Sequence, residues 1–206
     1  MHAVNVLDPV SLLHTFGVLG VFLVLFAETG LLVGFFLPGD SLLFTGGLLA
    51  ATSSSSAAHL PLVAVLVASV TGALLGAQTG YLIGRLVGPR LLDRPDRPRL
   101  QHAVQQAHHA LERYGPAKAI VLARFIPLVR TVLNPLAGTV RLDARQFTVW
   151  QVVGGALWSV GIVIAGYLLG SRIPGIDKYL LPIIAVVILV SLIPVFLEVR
   201  RGRRHV

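Results

Sequence analysis

Two apolar stretches in this chain carry charges that an ordinary membrane-crossing helix excludes. VFLVLFAETGLLVGFFLPGD holds Glu28 and Asp40, and AIVLARFIPLVRTVLNPLAG holds Arg124 and Arg130. A charge at mid-bilayer costs roughly 3 kcal/mol on insertion scales, so such residues are retained where they have a partner or a task. Both stretches are also interrupted. Residues 18–50 are broken by Glu28, Gly30, Gly34 and Pro38-Gly39, and residues 119–140 by Pro127 and Asn134-Pro135. The first is too long for one crossing of about 20 residues and too short for two. Irregular backbone at membrane depth must be buried in protein or line a wet cavity. Both stretches therefore read as re-entrant hairpins, with a kinked full span as the alternative.

The rest of the chain fits a membrane setting. Of its 206 residues 55% are hydrophobic and only 13% are charged, against about a quarter charged in soluble domains. Residues 1–206 read as a single membrane domain. Leu62–Ile83, Phe147–Leu169 and Tyr179–Val199 have the length and composition of spanning helices, the last with Pro182 and Pro194 near its ends. The absence of cysteine excludes disulfides, thiolate metal sites and a cysteine nucleophile. The N-terminus has no basic region ahead of its apolar segment, so no cleaved signal peptide is expected.

The net charge of +8 is unevenly placed. The first lysine or arginine is Arg85. Basic residues then cluster between Arg85 and Lys118 and in the tail 200–206, which holds Arg200, Arg201, Arg203 and Arg204. The positive-inside rule puts both clusters, and with them the C-terminus, in the cytoplasm. There they would meet anionic lipid headgroups. A nucleic-acid partner is not expected.

The sequence also repeats. Phe16-Gly17 resembles Tyr114-Gly115, and Pro38 lies 97 positions before Pro135. Gly80-Tyr81-Leu82-Ile83-Gly84 matches Gly166-Tyr167-Leu168-Leu169-Gly170 at an offset of 86. Leu100, Val104, Ala107 and Leu111 follow helical spacing among polar residues and predict an interfacial helix. Residues 3–16 read the same way, less clearly because of Pro9. The expected fold is all-α: two inverted repeats, about 3–85 and 100–172, each an interfacial helix, a re-entrant hairpin and a spanning helix. A further spanning helix at about 179–199 follows. Inverted repeats of this kind recur in transporters, with the binding site near the repeat interface.

Arg124 and Arg130 are six positions apart and would point about 240° away from each other on an unbroken helix. A break at Pro127 lets them converge. Arginine offers a planar fork matched to phosphate oxygens and keeps its charge when desolvated. The pair therefore reads as a phosphate grip. Pro38-Gly39-Asp40 marks the corresponding break of the first hairpin and could expose helix-end amides to an anion. Burial favours the protonated form of a carboxyl and a neighbouring arginine the ionised form. Glu28 and Asp40 are thus candidates for coupling to protons or another cation. The arginines would pair with the carboxylates when empty and with phosphate when loaded. The plain alternative is a set of salt bridges clamping two hairpins together.

Other residues read as structural. Gly80, Gly84, Gly138, Gly166 and Gly170 suit close packing or hairpin breaks, and Tyr81, Tyr167, Trp150 and Trp158 suit packing or interfacial anchoring. His102, His108 and His109 read as a solvated face; no metal site and no cofactor are expected. Asn134 reads as a cap or a hydrogen-bonding residue within its hairpin.

These segments carry a family likeness. FAETGLLVGFFLPGDSLLFTGGLLA, GYLIGRLVG, ARFIPLVRTVLNPLAG and the Phe147–Trp158 span followed by GYLLG resemble the DedA family, also called SNARE-associated or VTT-domain proteins. The likeness covers roughly residues 10–172. It implies paired re-entrant hairpins and lipid transport in the bacterial cytoplasmic membrane, including recycling of undecaprenyl phosphate, phospholipid translocation and proton-dependent membrane homeostasis. The family's acidic pair maps onto Glu28 and Asp40, where Asp40 replaces a frequent Glu, and its arginine pair onto Arg124 and Arg130. The expected function is a flippase for a phosphate-headed lipid such as undecaprenyl phosphate, acting alone or as a homo-oligomer. A proton-coupled small-cation or phospholipid transporter is the alternative. A lipid phosphatase lacks a nucleophile within the arginine motif, and an assembly factor would not need the arginines, so no enzyme activity is expected.

Overall fold

A computed structural model of the chain describes residues 9–31, 39–52, 59–92 and 98–172. These residues form six helices: α1 (Pro9–Gly30), α2 (Gly39–Ala50), α3 (Leu62–Leu92), α4 (Pro98–Ala123), α5 (Pro127–Thr139) and α6 (Ala144–Arg172). No strand occurs among the described residues. Gly34, Pro38, the expected helix at 179–199 and the basic tail lie outside them.

Residues 62–89 of α3 and 144–172 of α6 are long and apolar enough to cross a membrane. They contain the expected spans and extend them. Each carries an exposed apolar stripe at helical spacing: Val63, Val67, Leu75, Leu82 and Leu86 on α3, and Val149, Val153, Leu157 and Leu168 on α6. A stripe of that extent is unfavourable against water and neutral against lipid.

The chain divides into two compact units, one holding residues 23–35 and 70–159, the other residues 1–22, 36–69 and 160–206. In the first, Ala77, Tyr81, Ile120, Ala123, Leu133, Ala137 and Phe147 form a buried core. Tyr81 stacks on Phe147 with ring centroids 4.6 Å apart, and its hydroxyl donates to the Leu142 carbonyl. Tyr81 is therefore a core residue rather than an interfacial anchor.

α3 owes its close neighbours to a ladder of glycines, Gly76, Gly80, Gly84 and Gly88, spaced four apart along the helix. A Cβ at Gly76 would strike the Phe26 carbonyl and Thr29 of α1, one at Gly84 the Pro135 carbonyl of α5, and one at Gly88 Thr139. Reciprocally, a Cβ at Gly138 would strike the Tyr81 carbonyl. Only hydrogen fits at these crossings.

The other unit repeats the device between α2 and α6. A Cβ at Gly166 would strike the Phe44 carbonyl, and one at Gly47 the Val163 carbonyl. By these contacts Gly166 matches Gly84 and Gly47 matches Gly138.

α1 and α4 are each kinked at a glycine, Gly17 (φ 54°, ψ −133°) and Gly115 (φ 73°, ψ 156°). Both conformations are open essentially to glycine alone. The matched Phe16-Gly17 and Tyr114-Gly115 pairs thus mark the same structural event.

α4 ends at a turn over Arg124–Ile126, and α5 begins with Pro127 at its first position, where a missing N–H costs nothing. α5 then runs unbroken through Asn134-Pro135, contrary to the expected break. Packing against α3 holds the helix there and outweighs the local preference of proline. Its end is a Schellman turn: Leu142 N–H reaches the Ala137 carbonyl and Arg141 N–H the Gly138 carbonyl, with Arg141 left-handed at φ 55°. Asp143 then caps α6, its carboxylate accepting from the Gln146 N–H at 2.9 Å. This tight connection makes α5 and α6 an antiparallel pair and fixes Asn134 opposite Gln151.

Candidate functional site

Three charged residues of the first unit, Glu28, Arg124 and Arg130, converge on one buried cluster. Glu28, two residues before the end of α1, is 2% exposed, Arg124 1% and Arg130 5%. Arg124 sits in the α4–α5 turn, and Arg130 sits one turn into α5. The break between them turns both guanidiniums inward.

Arg130 donates from Nη2 to Glu28 Oε1 in a buried ion pair. Its guanidinium also lies over the Trp158 ring, 4.5 Å from the centroid. Trp158, read from sequence as an anchor or packing residue, is thus part of the cluster.

Arg124 is held differently. Its Nε donates to Gln151 Oε1 at 2.8 Å. Gln151 Nε2 donates to Asn134 Oδ1, and Asn134 Nδ2 donates to the Thr29 carbonyl at 2.8 Å. The amide orientations are forced: arginine can only donate and a backbone carbonyl can only accept. Arg124 also lies within electrostatic range of Arg130 and Glu28. Its Nη1 and Nη2 are buried and have no hydrogen-bond partner among the described residues. Arginine carries its donors in a fixed planar fork, so Nη1 and Nη2 together offer a two-point grip of the kind that suits a carboxylate or a phosphate.

Asn134 therefore ties three helices rather than capping its own. Thr29 continues the frame, its hydroxyl lying 2.7 Å from the Leu25 carbonyl and 3.1 Å from the Ala73 carbonyl. The glycine ladder makes this possible: a Cβ at Gly80 would come within 3.2 Å of Asn134 Cβ and of the Gly30 carbonyl.

Asp40 lies in the first turn of α2, after Gly39, in the other unit. It is half-buried. Pro135 and Gly138 serve α5 as contact points on α3. Among the described residues no group of three or more acidic or histidine side chains is placed to hold a metal.

The VTT domain family matches residues 37–168. The membrane protein Rv0364 of Mycobacterium tuberculosis is 40% identical over 98% of this chain and 90% of its own length. Protein DedA of Escherichia coli is 38% identical over 89% of this chain and 82% of its own. The chain belongs to the DedA (VTT-domain) family. The inner membrane protein YqjA of Escherichia coli is 35% identical over 77% of this chain and 70% of its own. These relatives agree with the apolar stripes of α3 and α6: the DedA-family chain is a membrane protein. No solved structure matches.

The sequence reading missed Gln151, the place of Trp158 beside Arg130, and Gly76 and Gly88 of the ladder, while the packing role read for Gly80 and Gly84 holds. Gln151 had a signal, being a lone amide in an apolar span. The ladder had another in its strict period of four.

Proposed function

We propose that this DedA-family protein moves a phosphate-headed lipid across the membrane, with undecaprenyl phosphate the first substrate to test. One observation carries the proposal: Arg124 is buried with both terminal nitrogens open, beside an Arg130 whose partner can be protonated. Arg124, Arg130 and Glu28 together hold one excess positive charge when Glu28 is ionised. A phosphate oxyanion neutralises it and fills the open donors. Only the headgroup needs such a site, since a polyprenyl or acyl tail can stay in lipid.

Arg124 then receives the phosphate first, and Arg130 joins when Glu28 takes a proton and lets go. Proton release restores the ion pair and expels the anion. Asp40, in the first turn of α2, is the second candidate coupling carboxylate. The matched glycine crossings and the kinks at Gly17 and Gly115 support two repeats of one plan. An inverted arrangement would give each membrane face one hairpin, with the C-terminus in the cytoplasm. No step calls for a cofactor or for covalent chemistry.

The test is movement of polyprenyl phosphate and of phospholipid in reconstituted vesicles, comparing wild type with Arg130→Lys. Lysine keeps the charge but loses the planar fork and its stacking on Trp158. Lipid movement should fall sharply. Wild-type movement would mean that a point charge suffices and would remove the bidentate grip.

A further inference from the structure

We infer that Gln151 is a positioning residue that keeps the anion site charged by giving Arg124 a neutral partner. This rests on reading Arg124 as an anion receptor. An arginine buried in apolar surroundings is ordinarily matched by a carboxylate. Here Glu28 is engaged by Arg130, and the partner given to Arg124 is an amide oxygen 2.8 Å from its Nε. One hydrogen bond at Nε fixes the guanidinium plane and leaves the four Nη hydrogens for an incoming oxyanion.

The amide is itself held. Its Nε2 donates to Asn134 Oδ1, and Asn134 Nδ2 donates to the Thr29 carbonyl, the residue after Glu28. Every link from Arg124 to Thr29 is uncharged, so the relay aims the cation without neutralising it. The α6 side is kept clear by glycine: a Cβ at Gly155 would lie 3.3 Å from Arg124 Nη2. Gln151→Glu changes almost nothing in shape. It places a carboxylate on the guanidinium and forces Asn134 either to face it oxygen to oxygen or to turn its own oxygen onto the Thr29 carbonyl.

The experiment uses the purified full chain in detergent, titrated with farnesyl phosphate and with farnesol as the uncharged control. Wild type should bind the phosphate and not the alcohol. Gln151→Glu should weaken farnesyl phosphate binding by at least about tenfold, because its carboxylate competes for the same donors. Gln151→Met, which leaves the charge but removes the aim, should weaken it a few-fold. Arg124→Gln should abolish it. Wild-type affinity in Gln151→Glu, with binding lost in Arg124→Gln, overturns the role of Gln151 alone. Unchanged affinity in Arg124→Gln overturns the anion-receptor reading and this inference with it. If Gln151→Glu yields no folded protein, Gln151→Met decides, and wild-type affinity there overturns the positioning role.

Discussion

Glu28 on α1 and Arg130 on α5, 102 positions apart in the chain, form a buried ion pair. Removing one partner of such a pair strands a charge and costs about 3–5 kcal/mol. Arg130→Ala should therefore lower the melting temperature of the detergent-purified protein markedly. Glu28→Gln keeps the shape and a hydrogen-bonding oxygen, so it should cost less. It also leaves the arginines unopposed. Phosphate-lipid binding should tighten while transport slows, which a binding titration and a vesicle assay measure separately.

Trp158 supports Arg130 from the ring face. A desolvated cation–π contact contributes roughly 2 kcal/mol. Trp158→Leu should lose that contact and weaken phosphate-lipid binding, whereas Trp158→Phe should retain part of both. Equal loss in the two variants, read by thermal unfolding and titration, would assign Trp158 to packing alone.

Asn134 satisfies Gln151 on one side and the Thr29 carbonyl on the other. Asn134→Leu fills the space but leaves two buried polar groups unmet, each costing about 1–3 kcal/mol. Asn134→Leu should be clearly destabilised by thermal unfolding. A near-neutral result would mean that the relay contributes little to the fold.

The glycines of α3 and α6 give a paired test. Gly84→Ala drives a methyl into the Pro135 carbonyl, while a methyl added at Gly161 meets nothing within 4 Å. Overpacking costs about 1–3 kcal/mol, and an open helical Gly→Ala gains up to about 1 kcal/mol. Gly84→Ala should therefore melt lower than wild type and Gly161→Ala no lower.

Much of this was legible in the residues themselves. Charge within apolar sequence picked out Glu28, Arg124 and Arg130, and the likeness of Phe16-Gly17 to Tyr114-Gly115 paired two positions without showing that both are kinks. What failed was local reasoning about residues whose role is tertiary. Asn134-Pro135 looks like a helix stop, yet α5 continues because α3 presents Gly84 and Gly88 to it. Trp158 looks like an anchor until the fold sets it under Arg130. Gln151 is one polar letter in an apolar span, and its partners lie 17 and 27 positions away. No periodicity within α6 could report them.

The role proposed for Arg124 is to receive the phosphate of a lipid. It is tested most directly by movement of polyprenyl phosphate in vesicles reconstituted with the full chain, comparing wild type with Arg124→Gln at matched protein incorporation. Phosphate-dependent movement is expected in wild type and its loss in Arg124→Gln. Equal movement by the two proteins would contradict it.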